Sequence, residues 1–457
     1  MLNDLFGPPA RRTLAMLAVL AGALTLPGAA FAQEPAGVSP EVAYILNSFL
    51  FLVAGFLVMF MAAGFCMLEA GMVRSKNVAT ICVKNIALYS VAGLMYFLLG
   101  YNLMYSGVDG GWIGSFGTWS ADDSLAASGD FSGNYAASSD WFFQMVFVAT
   151  AASIVSGTLA ERIRLWPFLI FVVVLTGIIY PIQGAWKWGG GWLGDLGFAD
   201  FAGSTIVHSV GGWAALTGAI ILGPRRGKYA PYGRVHPMPA SSLPLAALGT
   251  FILWLGWFGF NGGSQLALGS GADAVAIANI FANTNTAAAA GVLTAMVLTQ
   301  ILYGKVDLTM ALNGALAGLV SITAAPDTPS LFLAALIGAI GASLVVVVVP
   351  VLDRLRIDDV VGAIPVHLVA GIWGTIAVAF SYQAEVDGVT LSFFGQVMIQ
   401  LLGILVIGVF VTLLSTLSWL ALRFTIGIRA DPEEEATGLD VAELGMEAYP
   451  EFAKSTA

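Results

Sequence analysis

Charge is what this chain has least of. Only 10% of its 457 residues are Asp, Glu, Lys or Arg, where a soluble domain carries about a quarter. That scarcity excludes a large soluble core. The 18 Lys and Arg form no patch suited to nucleic acid, and the formal charge of −10 is spread over loops and a tail. Cysteine occurs twice, at Cys66 and Cys82, both inside apolar runs. Free thiols are expected there, with neither a disulfide nor a structural metal site. No nucleophile–base pair or metal cluster points to an enzyme, and no cofactor is implied. What remains is 58% hydrophobic, with a mean hydropathy of +0.86. The 54 glycines fit helices that pack closely through small residues. The chain reads as an all-α polytopic membrane protein.

Residues 1–32 have the layout of a cleaved signal peptide. Arg11 and Arg12 precede the apolar run Thr13 to Leu26, and Ala30-Phe31-Ala32 offers a small-residue cleavage site. Pro27 and Gly28 end that run too early for a span. Eleven apolar stretches follow, at 43–72, 78–106, 141–160, 165–186, 203–223, 243–266, 274–303, 309–325, 330–352, 360–382 and 392–424, of which the eighth is short. With an outside N-terminus, Arg74, Lys76, Arg162, Arg164, Arg225, Arg226, Arg354, Arg356, Arg423 and Arg429 all fall inside, and only Lys187 falls outside. The stretch Gly107 to Asp140 holds five aspartates and no Lys or Arg. This asymmetry predicts an inside C-terminus and an odd number of spans in the cell's inner (plasma) membrane. The expected units are therefore the signal peptide (1–32), a membrane domain (33–424) and a cytoplasmic tail (425–457). The tail is acidic, with Glu433-Glu434-Glu435 and Gly438-Leu439-Asp440. Its composition leaves open whether it docks.

The fifth stretch begins in the aromatic, glycine-rich turn Trp186-Lys187-Trp188-Gly189-Gly190-Gly191-Trp192 and continues through Asp200 to His208. Asp200 stands where a carboxylate accepts the free N–H groups of a helix start. His208 lies about 12 Å deeper by helical rise. A histidine at that depth is costly unless it lines a cavity or has a partner. Of the three histidines, His367 sits in a matching phrase: Val207-His208-Ser209-Val210-Gly211-Gly212 against Val366-His367-Leu368-Val369-Ala370-Gly371. The repeat predicts two five-helix halves, helices 1–5 and 6–10, inverted relative to each other, plus a long eleventh helix. Each half would place one imidazole in a shared site. Structural histidines bonded to carbonyls, or a haem or metal pair, are the other readings.

Further candidates are aromatics near helix ends. Phe143 and Phe147 share a helical face at i,i+4. With Trp188 and Phe260 they could hold a small cation against their π faces, or form an ordinary interfacial belt. Ser264 follows Trp254-Leu255-Gly256-Trp257-Phe258-Gly259-Phe260-Asn261-Gly262-Gly263 and offers a hydroxyl. Glu69, Arg74, Lys76, Glu161, Arg162, Asp358 and Asp359 flank helix ends, where pairing and capping are expected.

Taken together, the motifs resemble those of the ammonium transporter (Amt/Mep/Rh) family over nearly the whole chain after residue 32. The carriers are Gly64-Phe65-Cys66-Met67-Leu68-Glu69-Ala70-Gly71-Met72-Val73-Arg74-Ser75-Lys76-Asn77, Ala160-Glu161-Arg162-Ile163, Asp200-Phe201-Ala202-Gly203, Gly256-Trp257-Phe258-Gly259-Phe260-Asn261, Asn313-Gly314-Ala315-Leu316-Ala317-Gly318 and the two histidine phrases. Trp188 with the Phe147 and Phe260 pair resembles the bacterial Amt branch more than the Rh branch. The resemblance implies eleven helices and a homotrimer with one pore per subunit. It implies recruitment of ammonium by Phe147, Trp188 and Ser264, with Asp200 shaping that site from behind. A gate of Phe147 and Phe260 and a pore lined by His208 and His367 are implied too, as is a cytoplasmic PII-type signal protein that plugs the inner mouth. Three residues depart from the pattern: Gly362 where some bacterial members carry aspartate, Pro365 two residues before His367, and Leu444 where many carry histidine.

Ammonium has four donors, no acceptor and one charge, so selection needs acceptors and π faces at the mouth. A bare charge crosses an apolar centre poorly. The expected route is deprotonation, with ammonia passing the imidazoles and a proton returning along them, an electrogenic event. An electroneutral ammonia gas channel is one alternative. An ammonium sensor without bulk transport is the other, and the short acidic tail after Arg429 weighs against it.

Overall fold

The computed structural model describes residues 38–231 and 234–452, so the expected signal peptide at 1–32 lies outside the described residues. In chain order the apolar helices are α1 (Pro40–Met72), α2 (Ser75–Tyr105), α3 (Ala137–Thr158), α4 (Leu165–Ala185), α5 (Ser204–Leu222), α6 (Leu243–Gly263), α7 (Gly271–Tyr303), α8 (Leu308–Ile322), α9 (Leu331–Arg354), α10 (Ile364–Phe380) and α11 (Phe393–Thr425). Among the described residues nine are long and apolar enough to cross a membrane, and α8 and α10 are shorter. The chain is thus an all-α, multi-pass membrane protein. A two-stranded hairpin, Glu385–Val386 with Val389–Thr390, is the only sheet among the described residues.

Helix starts follow local chemistry. Side chains of Ser39, Ser242, Ser270, Asp307, Ser330 and Ser392 accept backbone N–H groups at the starts of α1, α6, α7, α8, α9 and α11. Such caps satisfy donors that an apolar medium would otherwise strand. Ser270 and Asp273 cap each other reciprocally.

Small residues set the packing. A Cβ on Gly249 would stand 2.2 Å from the Leu68 nitrogen, so α1 and α6 touch backbone to backbone. The helices of the histidine phrases do the same: a Cβ on Gly371 would stand 2.4 Å from the Ser204 carbonyl oxygen. Larger side chains there would push α5 and α10 apart, and the two imidazoles with them.

Helix α3 joins the two ends of the molecule. Asp140 in its first turn lies at the end that also holds Trp188. Its 22 residues span about 33 Å, and a compact ion network follows its other end. There Arg225 donates Nε and Nη2 to the two Asp358 oxygens at 2.8 and 2.9 Å, and Nη1 to Glu161 at 2.9 Å. Glu161 also accepts the Arg74 backbone and side chain. Arg162, fully buried, donates to the carbonyls of Thr158, Ala160, Gly223 and Asp358. Four helix corners are thereby tied into one unit, the pairing and capping expected for these residues.

The acidic tail docks on this end. It forms two short helices, α12 (Pro432–Thr437) and α13 (Leu439–Leu444). Asp440 accepts the Ala79 and Thr80 N–H groups at 2.9 and 2.7 Å and the Thr80 hydroxyl at 2.9 Å. Lys76 donates to the Glu435 carbonyl, and Arg429 Nη2 to the Glu435 carboxylate at 2.7 Å. Leu444 is half-buried against the apolar core.

Two outcomes follow. Asp440→Ala removes three hydrogen bonds and should release residues 431–449, read as protease cleavage of the tail at concentrations that leave the parent intact. Asp358 lies between α9 and α10. Burial opposes its charge, but hydrogen-bonded Arg225 and nearby Arg162 outweigh burial and hold its pKa well below the carboxylate range. A depressed folded pKa gives stability that is complete above the unfolded value of about 3.9 and lost as pH falls below it. Asp358→Ala should remove two of the three carboxylate bonds of the buried Arg225 guanidinium and the charge beside Arg162, and cost up to about 3–5 kcal/mol in unfolding at neutral pH, with the difference from the parent shrinking in acid.

Candidate functional site

The two histidines meet. His367 Nδ1 lies 3.2 Å from His208 Nδ1, so one ring donates and the other accepts. Both are buried, at 0 and 3% exposure. Each sits in a widened π-helical turn, Ser204–Ser209 for His208 and Ile364–Val369 for His367. Such turns re-aim side chains and recur at functional sites. The Nε2 of His208 has no hydrogen-bond partner among the described residues.

The same device launches both turns. Asp200 Oδ1 accepts the N–H groups of Gly203 and Ser204 at 3.0 and 2.8 Å, and Oδ2 those of Thr205 and Ile206 at 2.8 and 2.9 Å. This is the capping geometry expected of Asp200. Asp359 repeats it, accepting Gly362 and Ile364 N–H groups at 3.2 and 2.7 Å. Each aspartate precedes its histidine by eight residues, an interval visible in the sequence that would have singled out Asp359 among the helix-end charges. Gly203 and Gly362 both take a positive φ, 107° and 81°, to let the chain turn into the helix. A Cβ on Gly362 would meet Asn313 Nδ2 at 2.6 Å. Pro365 sits in the first turn of α10, where its missing N–H costs nothing. The departures at 362 and 365 are therefore compatible with the local backbone.

Aromatic rings close one side of the pair. His208 stacks on Trp257 and on Phe260, with centroids 4.9 and 5.3 Å apart. Trp257, which the sequence reading did not single out, donates Nε1–H to Thr323 Oγ1 at 2.8 Å, an anchor that holds its ring flat against the imidazole. Phe260 stacks on Phe147 at 4.0 Å, and Phe147 meets Trp188 edge-on at 6.1 Å. Trp188 Nε1–H donates to the Asp200 carbonyl at 2.9 Å, so one residue caps the helix with its carboxylate and orients the indole with its backbone. Ser264 ends α6, and its hydroxyl donates to the Phe260 carbonyl at 2.8 Å, leaving the oxygen free to accept. Phe143 packs edge-on against Phe147 at 4.8 Å.

Above these rings lies a cavity of about 400 Å³ bordered by Tyr101, Asp140, Phe147, Trp188 and Ser264. Below His367 a gap of about 10 Å³ borders Phe65, Glu69 and Asn313. It adjoins a wider recess of about 160 Å³ that includes Asn313, Asp359 and Pro365. Trp188, Phe147, Phe260, His208 and His367 thus follow one another between two cavities. Cys66 and Cys82 are free thiols, and they border an apolar groove between α1 and α2 instead.

Facing imidazoles at the centre of apolar helices, between two cavities, define a multi-pass membrane protein of the channel or transporter class. A family model described as the Ammonium Transporter Family matches residues 49–449. The chain belongs to the ammonium transporter family. It is similar to the ammonium transporter Amt2 of Archaeoglobus fulgidus, 43% identical over 424 residues that cover 88% of this chain and 87% of that one. It is also similar to the ammonium transporter of Bacillus subtilis, 34% identical, covering 86% and 96%. Among solved structures, one named Sensor Amt Protein superposes with a TM-score of 0.82 at 37% identity, covering 88% and 99%. Mep2 of Candida albicans superposes with 0.77 at 27%, covering 92% and 96%.

Asp200→Ala should strand four buried N–H donors, each costing about 1–3 kcal/mol when unsatisfied. Asp200→Asn keeps one carboxamide oxygen and should lose less. Thermal unfolding in detergent checks the order: parent, then Asn, then Ala.

Proposed function

We propose a route for the ammonium that this family member carries. Ammonium enters the cavity at the Trp188 end, taken as the outer face. Trp188 and Phe147 offer π faces and Ser264 an acceptor oxygen, with Asp200 holding the indole from behind. The stacked Phe147 and Phe260 act as the gate. Beyond it a bare cation faces a cost between about 3 and more than 10 kcal/mol at the centre of an apolar slab. Losing a proton removes most of that cost, and ammonia then passes His208 and His367. The paired imidazoles carry the released proton the same way, and it rejoins ammonia at the inner mouth, so one net charge crosses and the event is electrogenic. The single observation that carries this reading is the Nδ1–Nδ1 contact of 3.2 Å directly beyond the stacked phenylalanines. Two such nitrogens can pass a proton between them without either ring leaving its place.

The topology that fits this route has all eleven apolar helices crossing the plasma membrane as two inverted five-helix halves plus α11. The N-terminus is then outside and the C-terminus inside. Support comes from the basic residues gathered at the Arg225 end and from the matching aspartate–histidine intervals. Residues 1–32 act as a cleaved signal peptide, 33–424 as the membrane domain and 425–457 as a regulatory tail. The chain works as a homotrimer of the bacterial Amt type. A PII-type signal protein meets the inner mouth, where the tail lies against Lys76 and Thr80. The second reading is an ammonium sensor without bulk transport, favoured by the similarity to the solved Sensor Amt Protein.

The test is current across proteoliposomes after an external ammonium jump, with a potassium jump and His208→Ala alongside. An ammonium-specific current that is abolished, or loses selectivity, in His208→Ala is the expected result. Unchanged current and selectivity in that variant removes the imidazoles from the mechanism. Alkalinisation inside without current indicates a neutral ammonia channel. Ammonium binding with neither indicates the sensor.

A further inference from the structure

The cavity at the Trp188 end contains a charge that the route above does not use. Of the side chains bordering it, Asp140 alone carries a formal charge. It is 6% exposed, in the first turn of α3. Its carboxylate accepts the Tyr101 hydroxyl and the Gln144 amide, the latter at 3.2 Å. Both partners are neutral. None of the ion pairs among the described residues involves Asp140; they join Arg74, Arg162, Arg164, Arg225, Arg226, Lys228 and Arg429 to other acids. A buried carboxylate is normally paired with a cation or bound to a metal, and this one has neither.

Its surroundings suit a cation that comes and goes. Tyr101 and Tyr135 border the same cavity, and Trp119 packs tilted against Tyr101, centroids 5.4 Å apart. Aromatic faces attract a small cation without binding it as firmly as a second carboxylate would. The chain leading into α3 holds Asp109, Asp122, Asp123 and Asp130 with no Lys or Arg, and Lys187 beside Trp188 is outnumbered at this end. A low-dielectric cleft lined by one sign of charge concentrates the opposite ion. About 400 Å³ leaves room for a cation here and another beside Trp188.

We propose that Asp140, with Tyr101 and Gln144 holding its carboxylate, forms a binding station for a small monovalent cation, one step before the Trp188–Phe147–Ser264 group. The inference rests on the transport reading for its ligand, ammonium, and adds a charged station to a recruitment site that is otherwise neutral. Asp140 holds the ion by charge. Trp188 and Ser264 then select it by π face and acceptor.

Proteoliposome currents test this with Asp140→Asn, Asp140→Glu and Tyr101→Phe. In Asp140→Asn the half-saturating ammonium concentration should rise on the order of tenfold, more than the maximal current changes. Raising an impermeant salt from about 0.01 to about 0.15 M cuts the screening length from about 30 to about 8 Å and should narrow the gap to the parent. Asp140→Glu should restore most of the affinity. Tyr101→Phe removes the hydrogen bond but keeps the charge, and should shift half-saturation less. A half-saturating concentration in Asp140→Asn equal to the parent's, or a shift equal to that of Tyr101→Phe and insensitive to salt, overturns the station. If the parent itself carries no ammonium current, the transport reading fails. The station is then read from ammonium titration of tryptophan fluorescence, where equal binding by the parent and Asp140→Asn overturns it.

Discussion

Everything at the centre of this molecule depends on a carboxylate that accepts the first N–H groups of a buried helix. Helix starts leave donors open, and apolar surroundings supply no water to fill them. Asp200 takes four of them and Asp359 takes two at the corresponding place in α10. With the donors satisfied, α5 and α10 can begin inside the protein, below its surface. That places His208 and His367 mid-way, where they face each other. The π-helical turns that follow supply the extra residue needed to bring the rings into contact.

Charge is distributed to match. At the Arg225 end, acids and bases neutralise one another in a buried lattice that ties helix corners together. Breaking one partner there is costly because the other remains buried. At the Trp188 end the acid Asp140 borders open space. Between them stand neutral aromatic and imidazole rings. The difference lies in the partners: the acids at the Arg225 end meet guanidiniums, whereas Asp140 meets only the neutral Tyr101 and Gln144.

The sequence made the helices legible because apolar runs and basic loops are strong, local signals. It made His208 and His367 legible because rare residues stood in a repeated phrase. The contacts of Trp257, Asp359 and Asp140 were not legible. Trp257 looks like any aromatic in an apolar run until its ring lies against His208. Asp359 follows Asp358, and only its eight-residue interval to His367, the same as from Asp200 to His208, marks it out from that neighbour. Only the fold sends Asp358 to Arg225 and Asp359 to the α10 start. Asp140 sat among the aspartates of an acidic stretch, and what separates it from Asp122 or Asp130 is burial, which composition does not carry.

The tail was undecidable from composition for a related reason. Its acids suit solvent, and they also suit a partner of opposite polarity. The partner turned out to be a helix start: Asp440 accepts the N–H groups of Ala79 and Thr80 at the beginning of α2, as Asp200 does for α5. The same physical device is thus used a third time, from a distant part of the chain. One turn on, Lys84 donates to the Ser156 carbonyl, whose hydroxyl meets Glu69 beside the small gap under His367. The start of α2 is consequently held by a carboxylate from the tail, as is the start of α4, where Glu443 accepts the Leu165 N–H at 2.8 Å, whereas α5 and α10 are held by carboxylates on their own chain segments.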